Sequence, residues 1–226
     1  MKNNLEILYE DNHLIVVIKK PNILSQSDIT KDLDMLTIIK KYLKEKYNKK
    51  GNVYLGLVHR LDRPTGGIMV FAKTSKAAKR LSQQIKNKTF KKSYLAVVYN
   101  LKEKQGTFID YLEKDKNNNS KITTKEKGKY SELNYKLLET KNNLSLVKIN
   151  LITGRHHQIR IQFSKRGYPL YGDKRYNKDE THKPLALYAY KLEFTHPTTK
   201  EKLTFVNYPN YGIFKEFNIK GELYEK

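Results

Sequence analysis

Two short apolar runs open the chain, Leu5 to Tyr9 and Leu14 to Ile18, and both read as strands joined by a turn at Asp11-Asn12. Pro21 ends the second. Between Asp34 and Lys46 the apolar residues Leu36, Ile39 and Leu43, continued by Tyr47, recur at helical spacing, with lysines on the other face and Gly51-Asn52 as the break. Leu55 to Val58 and Gly67 to Ala72 are short and apolar enough to be buried strands. The segment between them, His59 to Gly66, is polar and rich in turn formers. Thr74 or Ser75 is a suitable N-cap for a helix running to about Lys86, with Ala78, Leu81 and Ile85 on one face.

Further on, Tyr94 to Tyr99 and Gly106 to Leu112 are strand-like, as are Ser131 to Leu138 and Leu144 to Leu151. Lys114 to Lys129 is polar and aperiodic, which predicts an exposed, mobile loop. His156 to Lys165 predicts a short helix closed at Gly167. Leu185 to Phe194 and Lys202 to Val206 predict a hairpin around Pro197-Thr198-Thr199. No internal repeat and no Gly/Ser-rich linker interrupts the chain. Many strands with two or three helices, in no regular βαβ order, indicate one α+β domain over residues 1–226, built on a central, mostly antiparallel mixed sheet flanked by a few helices.

Composition narrows the function classes. The 226 residues carry 45 Lys and Arg against 23 Asp and Glu, a formal charge of +22. Such a balance suits a polyanionic partner, because Lys and Arg release counterions from phosphates. It also fits a chain that uses Lys and Asn freely everywhere, as at Asn117-Asn118-Asn119. The arginines are more informative: of seven, four fall in two short segments, as Arg60/Arg63 and Arg155/Arg160. The chain has no cysteine, which excludes disulfides, thiolate catalysis, iron–sulfur clusters and thiolate zinc sites. No apolar run is long enough to span a bilayer as a helix. Met1-Lys2-Asn3-Asn4 leads straight into the first strand pattern, leaving no room for a signal peptide. The expectation is a soluble cytoplasmic protein without membrane contact.

Three segments carry candidate chemistry. In His59 to Gly67, Asp62 stands between Arg60 and Arg63 in a turn joining two apolar strands. A carboxylate so flanked is held ionised at neutral pH, as a nucleophile or electrostatic stabiliser requires, although an Asp bracing a turn has the same local pattern. In Thr153 to Arg160, two adjacent histidines invite a metal, but neighbours do not face one direction on a helix and no further ligand pattern accompanies them. The Gly, Arg and His before the helix start also suit a phosphate, and Ile159, Ile161 and Phe163 suit packing inward. Tyr94, after Lys92-Ser93 at the head of a strand, is placed to stack on a base.

Taken together these segments resemble the RNA pseudouridine synthases of the RluA type. His59-Arg60-Leu61-Asp62-Arg63-Pro64-Thr65-Gly66-Gly67 is similar to that family's H-R-L-D-x-x-[TV]-[SG]-G signature, and Ile68 to Ser75 resembles the strand and helix cap that come next in the family. Lys92 to Val98 resembles K-x-Y-x-A-x-V, Thr153 to Arg160 resembles T-G-R-x-H-Q-[IL]-R, and Gly167 to Asp173 resembles G-x-P-[IL]-x-G-D. Lys20-Pro21 is similar to the N-terminal K-P-x-G element. The matches keep the family's order from about Asp11 to Val206. The departures are Ile23 for the K-P-x-G glycine, Gly66 where many members have Ser, and His156 for a usual Thr. No pattern of the S4 RNA-binding module found in many relatives is present, so the catalytic domain is expected to hold the RNA itself.

The resemblance implies that Asp62 is the nucleophile that lets uracil leave C1′, rotate and rejoin through C5. Whether it attacks the base or the ribose stays open. It implies that Tyr94 stacks on the flipped uracil, that Arg160 pairs with Asp62, that Ile159 walls the base pocket, and that Arg60 steadies the gap left in the RNA. Arg63, Arg155 and His157 are candidates for RNA contact. The partner is ribosomal RNA or transfer RNA, with the target base taken out of its stack. No cofactor and no metal are expected, and a monomer is. A non-catalytic RNA-binding protein would not need Asp62, Tyr94 and Arg160 together. A glycosidase-like hydrolase would need a second carboxylate, and none accompanies Asp62 in its segment.

Overall fold

Strand β2 (Leu14–Lys19) is buried along its whole length, and so is β4 (Gly66–Ala72). They pair antiparallel, Leu14 against Ala72, Val16 against Val70 and Ile18 against Ile68. Because side chains alternate across a strand, these six residues share one face. That face packs on Ala77 and Leu81 of helix α2 (Ser75–Lys86), joined by Phe90, Leu192 and Phe194. Ile15, Val17, Met69 and Phe71 lie on the opposite face and are fully buried as well. A strand covered on both sides reads as a continuous apolar run, as both segments do in the sequence.

This is a computed structural model that describes residues 5–116, 118–177 and 182–223. The expectation drawn from Met1-Lys2-Asn3-Asn4 lies outside the described residues. The chain divides into two compact units, residues 1–90 with 191–207, and residues 91–190 with 208–226.

In the first unit β1 (Ile7–Glu10) pairs with β2, and the two-residue β3 (Gly56–Leu57) pairs with β4. Helix α1 (Met35–Lys46) begins at Asp34, whose carboxylate accepts from the Thr37 N–H at 3.1 Å, and it buries Met35, Ile39 and Leu43. Helix α2 is capped by the Thr74 hydroxyl, which accepts from the Ala77 N–H at 3.1 Å. Helix α2 starts at the expected cap, and α1 spans the segment whose apolar spacing predicted it.

In the second unit antiparallel strands run in the order β5 (Lys91–Tyr99), β9 (Leu144–Leu151), β8 (Lys129–Lys141), β6 (Gln105–Lys114), β7 (Ser120–Thr123). Leu95, Val97 and Leu146 on one face meet Ile213 and Phe214 of the 3₁₀ turn Gly212–Glu216, Phe217 just after it, and Ile219 of helix α4 (Ile219–Leu223). On another face Phe108 of β6, Tyr135 of β8 and Phe163 form a ring cluster with centroids 4.8 to 5.5 Å apart. Phe163 belongs to helix α3 (Gln158–Ser164), so this cluster seats α3 on the sheet. Strands β10 (Leu187–Thr195) and β11 (Lys202–Val206) form the expected hairpin, with the last five residues of β10 in the first unit.

The α+β architecture is as the sequence predicts, with three corrections. Lys114 to Lys129 is not one loop, because β7 forms inside it and pairs with β6, Ile122 opposite Leu112 and Lys121 opposite Glu113. An edge strand held by backbone hydrogen bonds needs no apolar alternation, so periodicity could not reveal it. Helix α3 starts at Gln158 rather than His156, because His157 has a left-handed backbone with φ of 49°. The short helices after residue 211 have too few turns to produce a periodic signal.

Candidate active site

The Asp62 segment hangs between β3 and β4, and its main chain is tied on both sides of Asp62. The Ser25 hydroxyl, itself buried, donates to the Leu61 carbonyl at 2.7 Å and accepts from the Leu61 N–H at 3.1 Å. The Asp62 carbonyl accepts from the Thr65 N–H at 3.0 Å, closing the turn. The Arg63 carbonyl accepts from the Asn22 N–H at 2.8 Å and from Lys19 Nζ at 3.0 Å. Asn22 has φ of 67°, a left-handed conformation that Asn tolerates better than most residues. Thus the last residue of β2 and the stretch after it, residues 19–25, form a cradle for the loop that carries the carboxylate.

Asp62 is half-buried, and Arg60 and Arg63 are exposed. Arg63 Nη1 lies 2.7 Å from the Asp32 carboxylate, both side chains about half exposed. His59 Nε2 accepts from the Val70 N–H at 3.1 Å, fixing the start of the loop to β4.

The other candidates lie in the second unit. Tyr94 is buried on β5, opposite Ile149 of β9. Ile159 and Arg160 are buried on α3. Arg160 meets Asp173 through two parallel bonds, Nε to Oδ2 at 2.8 Å and Nη2 to Oδ1 at 2.6 Å, with side chains 6% and 0% exposed. The guanidinium also lies 5.3 Å from the centre of the Tyr176 ring. Asp173 accepts as well from the N–H groups of Arg175 (3.1 Å) and Tyr176 (3.3 Å). The turn before it requires Gly172, whose φ is +74° and where a side chain would collide with the Pro184 carbonyl.

The approach to α3 is organised by Gln158, 2% exposed. Its amide oxygen accepts from Thr153 Oγ1 at 2.8 Å and from the Arg155 N–H at 3.0 Å, and its amide nitrogen donates to the Glu132 carbonyl at 3.1 Å. A Cβ at Gly154 would sit 2.8 Å from Lys92 Nζ, the end of a flexible side chain that can move aside. Arg155 is exposed and its Nε donates to the Tyr130 carbonyl at 3.0 Å. Gln158→Ala removes three part-buried bonds made by a buried side chain and should lower the unfolding free energy by about 1–3 kcal/mol, read by urea denaturation.

His156 and His157 precede α3, and their rings stack with centroids 3.7 Å apart. The helical argument for their divergence therefore does not apply. His157 Nδ1 is 2.9 Å from the Tyr176 hydroxyl. Burial first, then the nearby Arg160 and other cations, push its imidazole down to about 2, so it is neutral at working pH and offers hydrogen bonding rather than charge. No group of three or more His, Asp or Glu suited to a metal occurs among the described residues.

Asp173, Gln158, Ser25 and Lys19 were not singled out by sequence. The first two stand inside matched motifs, which was the available signal. Ser25 and Lys19 show their part only when the fold sets residues 19–25 under the Asp62 loop.

Against known proteins, residues 13–165 match the model of the RNA pseudouridylate synthase family. An uncharacterized RNA pseudouridine synthase of Helicobacter pylori is 34% identical over 218 residues, covering 89% of this chain and 65% of the relative. The ribosomal large subunit pseudouridine synthase D of Borreliella burgdorferi is 34% identical over 198 residues, covering 84% and 60%. The chain thus spans just under two thirds of the length of these relatives. The solved structure of human RNA pseudouridylate synthase domain containing 4 superposes with a TM-score of 0.76 at 22% identity, covering 90% of this chain and 88% of that one, and shows the shared fold. By the match of residues 13–165 to its model, the chain belongs to the RNA pseudouridylate synthase family.

Proposed function

We propose that this chain converts uridine to pseudouridine in structured RNA, ribosomal RNA of the large subunit or transfer RNA, with Asp62 as the nucleophile and the target uridine flipped out of its stack. The observation that carries this reading is the Asp62 segment itself, a family signature whose main chain is tied at Leu61, Asp62 and Arg63. A carboxylate held on a rigid frame meets the geometric demand on a nucleophile. The relative from Borreliella burgdorferi is named for ribosomal large-subunit RNA, which supports that substrate class.

The reaction breaks the bond between C1′ and N1, forms one between C1′ and C5, and releases the C5 hydrogen as a proton while N1 gains one. Electrons balance within the nucleotide, so the chemistry calls for no redox cofactor. On this reading Tyr94 stacks on the base, Ile159 gives an apolar wall, Arg160 serves in charge pairing and Arg60 steadies the vacated stack. Arg63, Arg155 and neutral His157 contact RNA. The protein works in the cytoplasm as a monomer.

With a formal charge of +22, RNA affinity should fall steeply with salt, on the order of 10³-fold between about 50 and 200 mM for about six phosphate contacts. Binding titrations at several salt concentrations measure the slope, and a flat response would mean that the lysines only solvate the surface. The substrate is found by chemical mapping of pseudouridine in ribosomal and transfer RNA from a strain lacking the gene. Loss of one or a few modified positions, restored by the wild-type chain and not by Asp62→Asn, is the expected result. An unchanged map would contradict the reading.

A further inference from the structure

Lys19 has no exposed surface. It closes β2, opposite Gly67 of β4, at the point where the Asp62 loop enters the sheet. Its ammonium nitrogen donates to the carbonyls of Arg63 at 3.0 Å and Lys20 at 3.2 Å. The Arg63 carbonyl belongs to the residue immediately after Asp62. A buried lysine is a costly way to tie a loop, since burial disfavours the ammonium. A methylene chain or a serine hydroxyl would have tied or filled the same place without a charge.

We propose that Lys19 is a positioning residue for Asp62, fixing the main chain beside it and setting the charge that faces its carboxylate. This rests on the reading that Asp62 reacts with uridine. Two properties of the site make lysine suitable. An amine has hydrogens for both carbonyls whether or not it is protonated, so the tie to Arg63 persists in both forms. Burial, opposed by Asp62 and assisted by Arg63, brings the Lys19 ammonium down to about 7, so its charge is lost close to neutral pH. Asp62 and Arg63 are the charged groups acting on it, and its neighbour across the sheet is a glycine.

The direction of the effect comes from the reaction. A carboxylate that attacks carbon, or takes a proton, spends its negative charge. A positive Lys19 stabilises the charge and opposes that step, whereas a neutral Lys19 does not. The single-turnover rate at saturating RNA should therefore rise as pH passes through about 7 and level off above it.

Lys19→Met keeps the length of the side chain and removes the nitrogen. It should bind RNA as the wild type does, react about 10²-fold more slowly because the loop is no longer fixed, and show no step near pH 7. The chain has no cysteine, so Lys19→Cys supplies a single thiol. Alkylated with 2-bromoethylamine in denaturant and refolded, it regains an amine less basic than that of lysine. The expected result is a recovered rate with the step moved to lower pH. A Lys19→Met variant with the wild-type rate and profile would overturn the proposal, as would a loss of rate that aminoethylation does not reverse.

Carbon-13 NMR of the lysine side chains gives a readout independent of turnover. Lys19 should titrate near 7 in the wild type and lower in Asp62→Asn, where the favourable charge is gone. If the two proteins titrate alike, Lys19 does not sense Asp62 and the proposal fails. If wild type forms no pseudouridine in any RNA yet Lys19 shifts with Asp62, the uridine reading fails and the coupling stands.

Discussion

Asp173→Ala should lower the unfolding free energy by about 3–5 kcal/mol, because it removes the carboxylate that takes two charged bonds from the buried Arg160 guanidinium. The pair has both bonds below 3 Å and almost no exposed surface on either side chain. The same carboxylate ends the N–H groups of Arg175 and Tyr176, so its loss also frees the turn after Gly172. Urea denaturation measures the change. Asp173→Asn should cost nearly as much, since its amide presents N–H groups to a guanidinium that can only donate. Replacing both partners, Arg160→Met with Asp173→Leu, should return most of the stability, because exchanging a buried ion pair for apolar groups is often neutral. The double variant then separates stability from chemistry: on the proposed role of Arg160 it folds and forms no pseudouridine.

Asp62→Asn should abolish pseudouridine formation, with a fall of at least about 10⁴-fold in single-turnover rate, as expected when a nucleophile is removed. The fold and the RNA affinity should be unaffected. The five hydrogen bonds described at Leu61, Asp62 and Arg63 are made by their main-chain groups, so these bonds are kept in Asp62→Asn. Equal thermal midpoints and equal RNA dissociation constants, with turnover lost, are the expected combination. Retained turnover would remove Asp62 from the chemistry. Free uracil from the wild type would mean that C1′ is attacked by water, as in a hydrolase.

Much of the fold was legible because its signals are local. Apolar spacing announces α1, Thr74 announces the start of α2, and β2 before Lys19 and β4 after its glycines are apolar runs. The loop that became β7 was not legible, because its pairing is made by backbone and leaves no pattern in the side chains. His157 was misplaced in a helix because a left-handed residue other than glycine gives no sequence sign.

The chemistry was legible as motifs, and its scaffolding was not. Asp62 and Arg160 stand out by residue type and company. Ser25 and Lys19 act through carbonyl groups tens of residues away, which only the pairing of β2 with β4 brings near. In a chain with so many lysines, one more beside Lys20 carries no distinction until its burial is known.

The most direct test tracks the hydrogen at C5. If uracil rejoins the ribose through C5, that hydrogen must leave to water once per event. RNA identified by the mapping, transcribed with tritium at C5 of uridine, is incubated with the wild-type chain and with Asp62→Asn. The expected result is tritium in water from the wild type, equal in amount to the pseudouridine formed, with no free uracil and none of either from Asp62→Asn. Tritium left in the RNA by the wild type, or released at the same rate by Asp62→Asn, would contradict isomerisation with Asp62 as its nucleophile.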